Sequence, residues 1–188
     1  MRMNVKLQTP EMVSAADISE CGKYRYSLTR VWRNFEKPRM VAFGALNPST
    51  ADALINDQTI RKEIAFGKLW GMDGLLKWNC YAWRETSPAK MFEASRRGFD
   101  IIGPRNMAEN IVDLVKKHNC EFVVVGWGTN ANRNLASRIA SRGQEITERL
   151  RAAGIPMVCL AINKDGSPQH PLYIPLNASL QPWGSNGA

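Results

Sequence analysis

Four short apolar runs, each closing on polar or glycine-rich residues, constrain this chain more than any other feature. They are Met40-Val41-Ala42-Phe43-Gly44-Ala45-Leu46, Gly74-Leu75-Leu76-Lys77-Trp78-Asn79, Glu121-Phe122-Val123-Val124-Val125-Gly126 and Pro156-Met157-Val158-Cys159-Leu160-Ala161. Near-continuous runs of this length read as strands buried on both faces. Between them lie helical patterns. Thr59 to Trp70 places Ile60, Ile64 and Leu69 on one broad face, with Asp57 as its N-cap. Pro104 to Asn119 opens with proline in its first turn and carries Met107, Ile111, Leu114 and Val115 at helical spacing. Asn130 to Ala153 reads as two helices broken near Gly143, and Tyr24 to Trp32 alternates like a strand. The alternation predicts an α/β fold, a three-layer α/β/α sandwich with a mainly parallel central sheet. The whole chain, 1–188, reads as one domain, with 1–20 an irregular lead-in and 177–188 a tail.

Composition removes several classes. Hydrophobic residues are 44% and charged residues 22%, an ordinary globular balance. No run of about 18 apolar residues is present, so no membrane span is expected. The N-terminus lacks the apolar stretch of a secretory signal. Cys21, Cys80, Cys120 and Cys159 are far apart and form no Cys-x-x-Cys pair, which argues against a zinc ribbon. Cys80 and Cys159 fall in or beside apolar segments, where a thiol acts as a small buried hydrophobe. These features point to a reduced, cytoplasmic protein working without metal or cofactor. The net charge of +8 suits a polyanionic partner. It is concentrated at 23–40 (Lys23, Arg25, Arg30, Arg33, Lys37, Arg39) and at 131–151 (Arg133, Arg138, Arg142, Arg149, Arg151), stretches that read equally as phosphate contacts or solvated faces.

In a parallel sheet, ligands bind beyond the carboxyl ends of the strands. The first run leads into Asn47-Pro48-Ser49-Thr50 and the second ends in Asn79. The third leads into Gly126-Trp127-Gly128-Thr129, and the fourth into a loop from Asn163 and Lys164 to His170-Pro171-Leu172-Tyr173. These ends should converge on one cleft. Within it, Gly128-Thr129-Asn130 opening a helix would hold a phosphate on free N–H groups. Among the aromatic residues, Phe66 and Trp70 read as packing, while Trp127 at a strand end is placed to line the cleft. His118, the other histidine, ends a predicted helix and reads as structural.

The same segments, in this order, resemble the uracil-DNA glycosylase superfamily. Asn47-Pro48, the strand closing in Asn79, Val125-Gly126-Trp127-Gly128 and His170-Pro171 match its successive motifs. The fuller pattern, Leu-Asn-Pro-Ser-Thr-Ala-Asp with His-Pro-Leu-Tyr, also looks like a poorly characterised microbial and viral family. The resemblance spans residues 40–173. It departs where Ala45 replaces a glycine and where Leu172 and Tyr173 follow His-Pro.

What the resemblance implies is N-glycosidic bond hydrolysis. His170 would hydrogen-bond the departing base, where negative charge develops. Asn47 would orient the water, with Asp52 or Asp57 as the acid assisting it. The side chain of Asn79 offers a carbonyl and an amide to a flipped pyrimidine. Ser49 stands where the uracil-specific branch has a bulky tyrosine, which implies room for a 5-substituent, and Trp127 would stack on the base. Leu172 or Tyr173 would wedge into the vacated stack, with Lys164 and Thr129 along the DNA. The expectation is a metal-free DNA glycosylase acting on a modified pyrimidine, in defence against viral DNA. The alternatives are a hydrolase of free modified nucleotides or nucleosides, and a non-catalytic module that binds modified DNA.

Overall fold

A computed structural model describes residues 12–33, 35–49, 51–52 and 55–184. Thr50, most of the expected lead-in and the last four residues of the expected tail lie outside the described residues. Among the described residues, seven strands and four helices follow in the order β1 (Val13–Ile18), β2 (Arg25–Val31), β3 (Met40–Ala45), α1 (Gln58–Leu69), β4 (Gly74–Asn79), α2 (Pro88–Arg96), α3 (Met107–Lys117), β5 (Cys120–Val125), α4 (Arg133–Ala152), β6 (Met157–Cys159) and β7 (Gln181–Pro182). A short 3-10 turn, Pro171–Tyr173, lies between β6 and β7.

The fold is α/β, and its sheet is mixed rather than mainly parallel. In the order β1-β2-β4-β3-β5-β6-β7, the central four strands pair in parallel. The flanking pairings β1–β2, β2–β4 and β6–β7 are antiparallel. The apolar runs are these central strands: β3 and β4 are buried at every residue. Successive residues of a strand face opposite sides, and the core divides accordingly. Val41, Phe43, Leu75 and Val124 pack with Ile60 and Phe66 of α1. Ala42, Leu76, Val123 and Val125 pack with residues of α2, α3 and α4. Helices therefore cover both faces.

Four local expectations are corrected. Val13–Ile18 within the lead-in is an edge strand, alternating exposed and half-buried residues against β2. Gln181–Pro182 within the expected tail pairs with β6. The helix expected from Pro104 begins at Met107, because Asn106 caps it by accepting from the Ala108 N–H. The expected break at Gly143 is absent. α4 runs unbroken through it, and a Cβ on Gly143 would overlap the Trp127 indole. Glycine is there for close approach.

Gly143→Ala should therefore destabilise the protein. Overpacking costs about 1–3 kcal/mol, set against a helix-propensity gain of about 1 kcal/mol. A melting temperature lowered by a few degrees in a thermal scan is the expected result, with recovery when Trp127 is also made smaller.

Candidate functional site

The carboxyl ends of β3 to β6 open into a cleft of about 540 Å³. It gathers Asn47, Ser49, Asp57, Trp127, Thr129, His170, Leu172 and Tyr173 from the expected residues, and adds Arg25 and Lys77. Asp52, Asn79 and Lys164 are not among its lining residues.

His170 begins the 3-10 turn, and its Nδ1 accepts the Leu172 backbone N–H at 3.3 Å. An imidazole accepting through Nδ1 carries its proton on Nε2. Burial, reinforced by the positive charge of Lys77, pushes its pKa down to about 4, and the charge of Asp57 only partly opposes this. His170 is a neutral hydrogen-bond donor at ordinary pH. Tyr173, three residues on, holds its ring in solvent at 80% exposure, with its centroid 6.0 Å from the imidazole.

On the α1 side, Asp57 does two jobs. Its Oδ1 accepts the Ile60 N–H at 2.8 Å and so caps α1, while Oδ2 accepts the Ser49 hydroxyl. Asp52 is turned to its own segment, accepting the Ile55 N–H at 2.9 Å. Of the two acids left open by the sequence, Asp57 is the one at the cleft. The side-chain amide of Asn47 donates to the Glu85 carbonyl, which fixes its rotation with Oδ1 as the acceptor end.

Beneath the cleft lies a buried polar floor that sequence reading missed. Lys77 donates to Glu63 of α1 at 2.5 Å, and both side chains are almost wholly buried. Burial raises the Glu63 pKa, with the charge of Lys77 opposing it. Arg25, also buried, donates from Nη1 to the Ala51 carbonyl at 2.7 Å and from Nη2 to Asn79 Oδ1 at 3.2 Å. Burial lowers the Arg25 pKa to about 10, which leaves it charged. Asn79 is 2% exposed, and its Nδ2 has no partner. The signal in the sequence was Lys77 itself, one charge inside an otherwise apolar strand.

Trp127 is buried against Gly143 and meets Trp183 edge-on at 5.8 Å. It forms a wall between the cleft and a second cavity of about 480 Å³ along α4. The Gly128–Asn130 turn does not open a helix. α4 starts at Arg133, its first N–H groups are taken by Asn132, and the Gly128 N–H donates to the Pro168 carbonyl. Asp165 accepts from the Ser167 N–H and hydroxyl, and its pKa is lowered chiefly by Ser167 and then by the neighbouring Thr129 hydroxyl. Phe66 and Trp70 stack with each other, and Trp70 stacks on Phe43, as packing residues. His118 is the C-cap of α3.

Part of the basic charge is buried or paired within the fold. Arg30 is fully buried and donates to Asn56 Oδ1 at 2.7 Å and to the carbonyls of Thr29 and Asp52. Arg142 donates to the Cys80 carbonyl, to Glu145 and to Asn106. Arg39 pairs with Glu121, and Arg33 with Asp73. Among the described residues, no three His, Cys, Asp or Glu side chains form a group able to hold a metal, and no helix is long and apolar enough to cross a membrane.

Residues 25–172 match the model of the DUF1643 family, described as proteins of unknown function, and the chain belongs to that family. This corrects the resemblance to the uracil-DNA glycosylase superfamily, because the family found is a distinct one and no uracil-DNA glycosylase family matches. No curated protein and no solved structure matches the chain.

Proposed function

We propose that this member of a family of unknown function is a cytoplasmic DNA glycosylase that takes a modified, 5-substituted pyrimidine into the cleft and hydrolyses its N-glycosidic bond. One observation carries the reading: a neutral, half-buried His170 with its proton on Nε2 shares a cleft with Asn47 and Asp57. Bond cleavage builds positive charge on the sugar and negative charge on the base. A neutral donor fixed in place stabilises a developing oxyanion without first having to give up a charge. Asn47 Oδ1 holds the attacking water, and the Asp57 carboxylate supplies negative charge on the sugar side. The reaction leaves a free base and an abasic site.

One feature favours DNA as the carrier of the base, and a second favours a substituted ring. Leu172 and the solvent-exposed Tyr173 stand beside His170, where an apolar side chain fills the gap left by an extruded nucleotide. The cleft volume exceeds what a bare pyrimidine ring fills, which leaves space for a substituent at C5. A viral genome carrying such bases is the substrate this suits, and defence against that DNA is the role it would serve.

The internal use of Arg25, Arg30 and Arg142 favours the second reading, a hydrolase of free modified nucleotides. One assay separates the two. DNA carrying different natural modifications, and the matching mononucleotides, are incubated with protein in excess, and released base is measured by mass spectrometry. Base and abasic sites from DNA are expected. Release from mononucleotides alone would move the activity to the second reading, and release from neither would end both.

A further inference from the structure

We infer that the surface around Phe99, together with the cavity of about 500 Å³ beside it, binds single-stranded DNA. One unpaired base stacks on the exposed ring, and Lys23, Arg97 and Arg138 hold the neighbouring phosphates. This is a second site, apart from the strand-end cleft, and it stands whether or not that cleft hydrolyses anything.

Local sequence puts Phe99 in place. α2 closes in a Schellman turn: Gly98, at φ +88°, donates its N–H to the Ser95 carbonyl, and the Phe99 N–H donates to the Ala94 carbonyl, both at 3.1 Å. Phe99 then packs on Trp83, with ring centroids 5.4 Å apart, and stays 41% exposed. Trp83 meets Tyr24 edge-on at 5.6 Å. Hydrogen bonds tie these segments together. The Trp83 N–H donates to the Ile101 carbonyl at 3.2 Å, the Arg84 N–H to the Lys23 carbonyl at 2.8 Å, and the Tyr24 hydroxyl to the Asp100 carbonyl at 2.9 Å. The aromatic surface is built in advance, so little freedom is lost when a base settles on it. The loop from Trp83 continues into Glu85 and Thr86, which line the strand-end cleft, and so serves both sites.

The charge around these rings suits phosphate. Lys23 Nζ lies 5.7 Å from the Phe99 centroid and the Arg97 guanidinium 5.8 Å. Among the described residues neither enters an ion pair. Exposed cation–π contacts are weak, which leaves both charges available to phosphates. Arg138, over the Phe92 ring at 4.7 Å, donates to Ser95 Oγ at 3.1 Å and has further N–H groups to offer in the cavity. Two carboxylates line the same cavity. Glu145 is paired with Arg142 at 2.6 Å, while Asp100 accepts the Ile102 N–H through Oδ1 and keeps lone pairs for the edge of a base. Free cations, an exposed ring and a cavity within the usual small-ligand range of about 300–1,000 Å³ are together what holds a single strand. A base paired in a duplex has both faces covered and cannot stack here. An acidic protein segment would meet the charge but leave ring and cavity unused.

Fluorescence anisotropy tests this with a short labelled oligothymidylate, an abasic strand of the same length and charge, and a duplex of that length. Oligothymidylate is expected to bind at least tenfold tighter than the abasic strand. Phe99→Ala should lose about tenfold on oligothymidylate and nothing on the duplex. Phe99→Trp should bind within about twofold of wild type, which separates stacking from a fault in folding. Lys23→Gln combined with Arg97→Gln should make the dependence of log affinity on log salt shallower by about 1.4, the share of two phosphates on a single strand. Equal binding of the thymidylate and abasic strands overturns the inference. So does a folded Phe99→Ala protein that keeps its preference, an equal loss on the duplex, or an unchanged salt slope in the double variant. Base release is followed separately: single-strand binding through Phe99 without release would sink the glycosylase reading alone.

Discussion

Replacing His170 by alanine is expected to slow base release by about 10²–10³-fold, the usual cost of losing one donor to a developing oxyanion. Because burial and Lys77 hold its pKa near 4, the wild-type rate should show no His170 titration between pH 5 and 8 and should fall only as pH approaches 4. A rate that instead follows a group titrating near 6.5 would show that His170 acts as a charged acid. The same shift predicts a stability effect. The folded pKa lies below the unfolded value, so the unfolded chain binds more protons as pH falls below 6.5. Stability is then lost on acidification from 6.5 toward 4, by about 3 kcal/mol for this group. His170→Asn keeps an acceptor for the Leu172 N–H and removes the titration. Urea unfolding at pH 7 and pH 4.5 should show a smaller acid loss in that variant than in wild type.

The other large effect belongs to the buried pair under the cleft. Lys77→Met leaves Glu63 in the interior without its cation, and removing one partner of a buried pair costs about 3–5 kcal/mol. Glu63 Oε2 already lacks a hydrogen-bond partner, and the charge of Arg25 opposes the burial of the carboxylate less than Lys77 does. Replacing both, as Lys77→Met with Glu63→Leu, takes the stranded charge away and should restore most of the stability. Equal destabilisation in the single and double variants, measured by chemical unfolding, would show that the pair contributes through shape rather than charge.

The parallel centre of the fold was legible in the sequence because β3, β4 and β5 must bury both faces and so carry few polar residues. β1 and β7 were not legible. An edge strand with one face in water reads much like a loop, and a two-residue pairing has no pattern to detect. Gly143 shows a different limit. A glycine in a helical stretch is used either to end the helix or to admit a neighbour, and only the position of Trp127 tells which. Within the site, His170 stood out as one of two histidines at a strand-end loop. Arg25, Glu63 and Lys77 did not, since charged side chains are ordinarily at the surface. The amide of Asn79 read as two-sided until Arg25 was seen to occupy one side.

Arg30 has a consequence for how the molecule can be divided. It reaches from β2 to the carbonyls of Asp52 and Ile55 and to the side chain of Asn56, just ahead of the Asp57 cap. The antiparallel strands at this edge are therefore the scaffold from which one wall of the cleft is suspended. A fragment starting at residue 35 would retain the four parallel strands and every helix. It would also lose the guanidinium that holds this wall, along with Arg25 beneath the floor. Lysine could not stand in for Arg30, because one ammonium on a flexible stem cannot span so many separated acceptors in a fixed plane. The smallest unit able to present this site thus begins before β2, ahead of the first of the parallel strands that shape it.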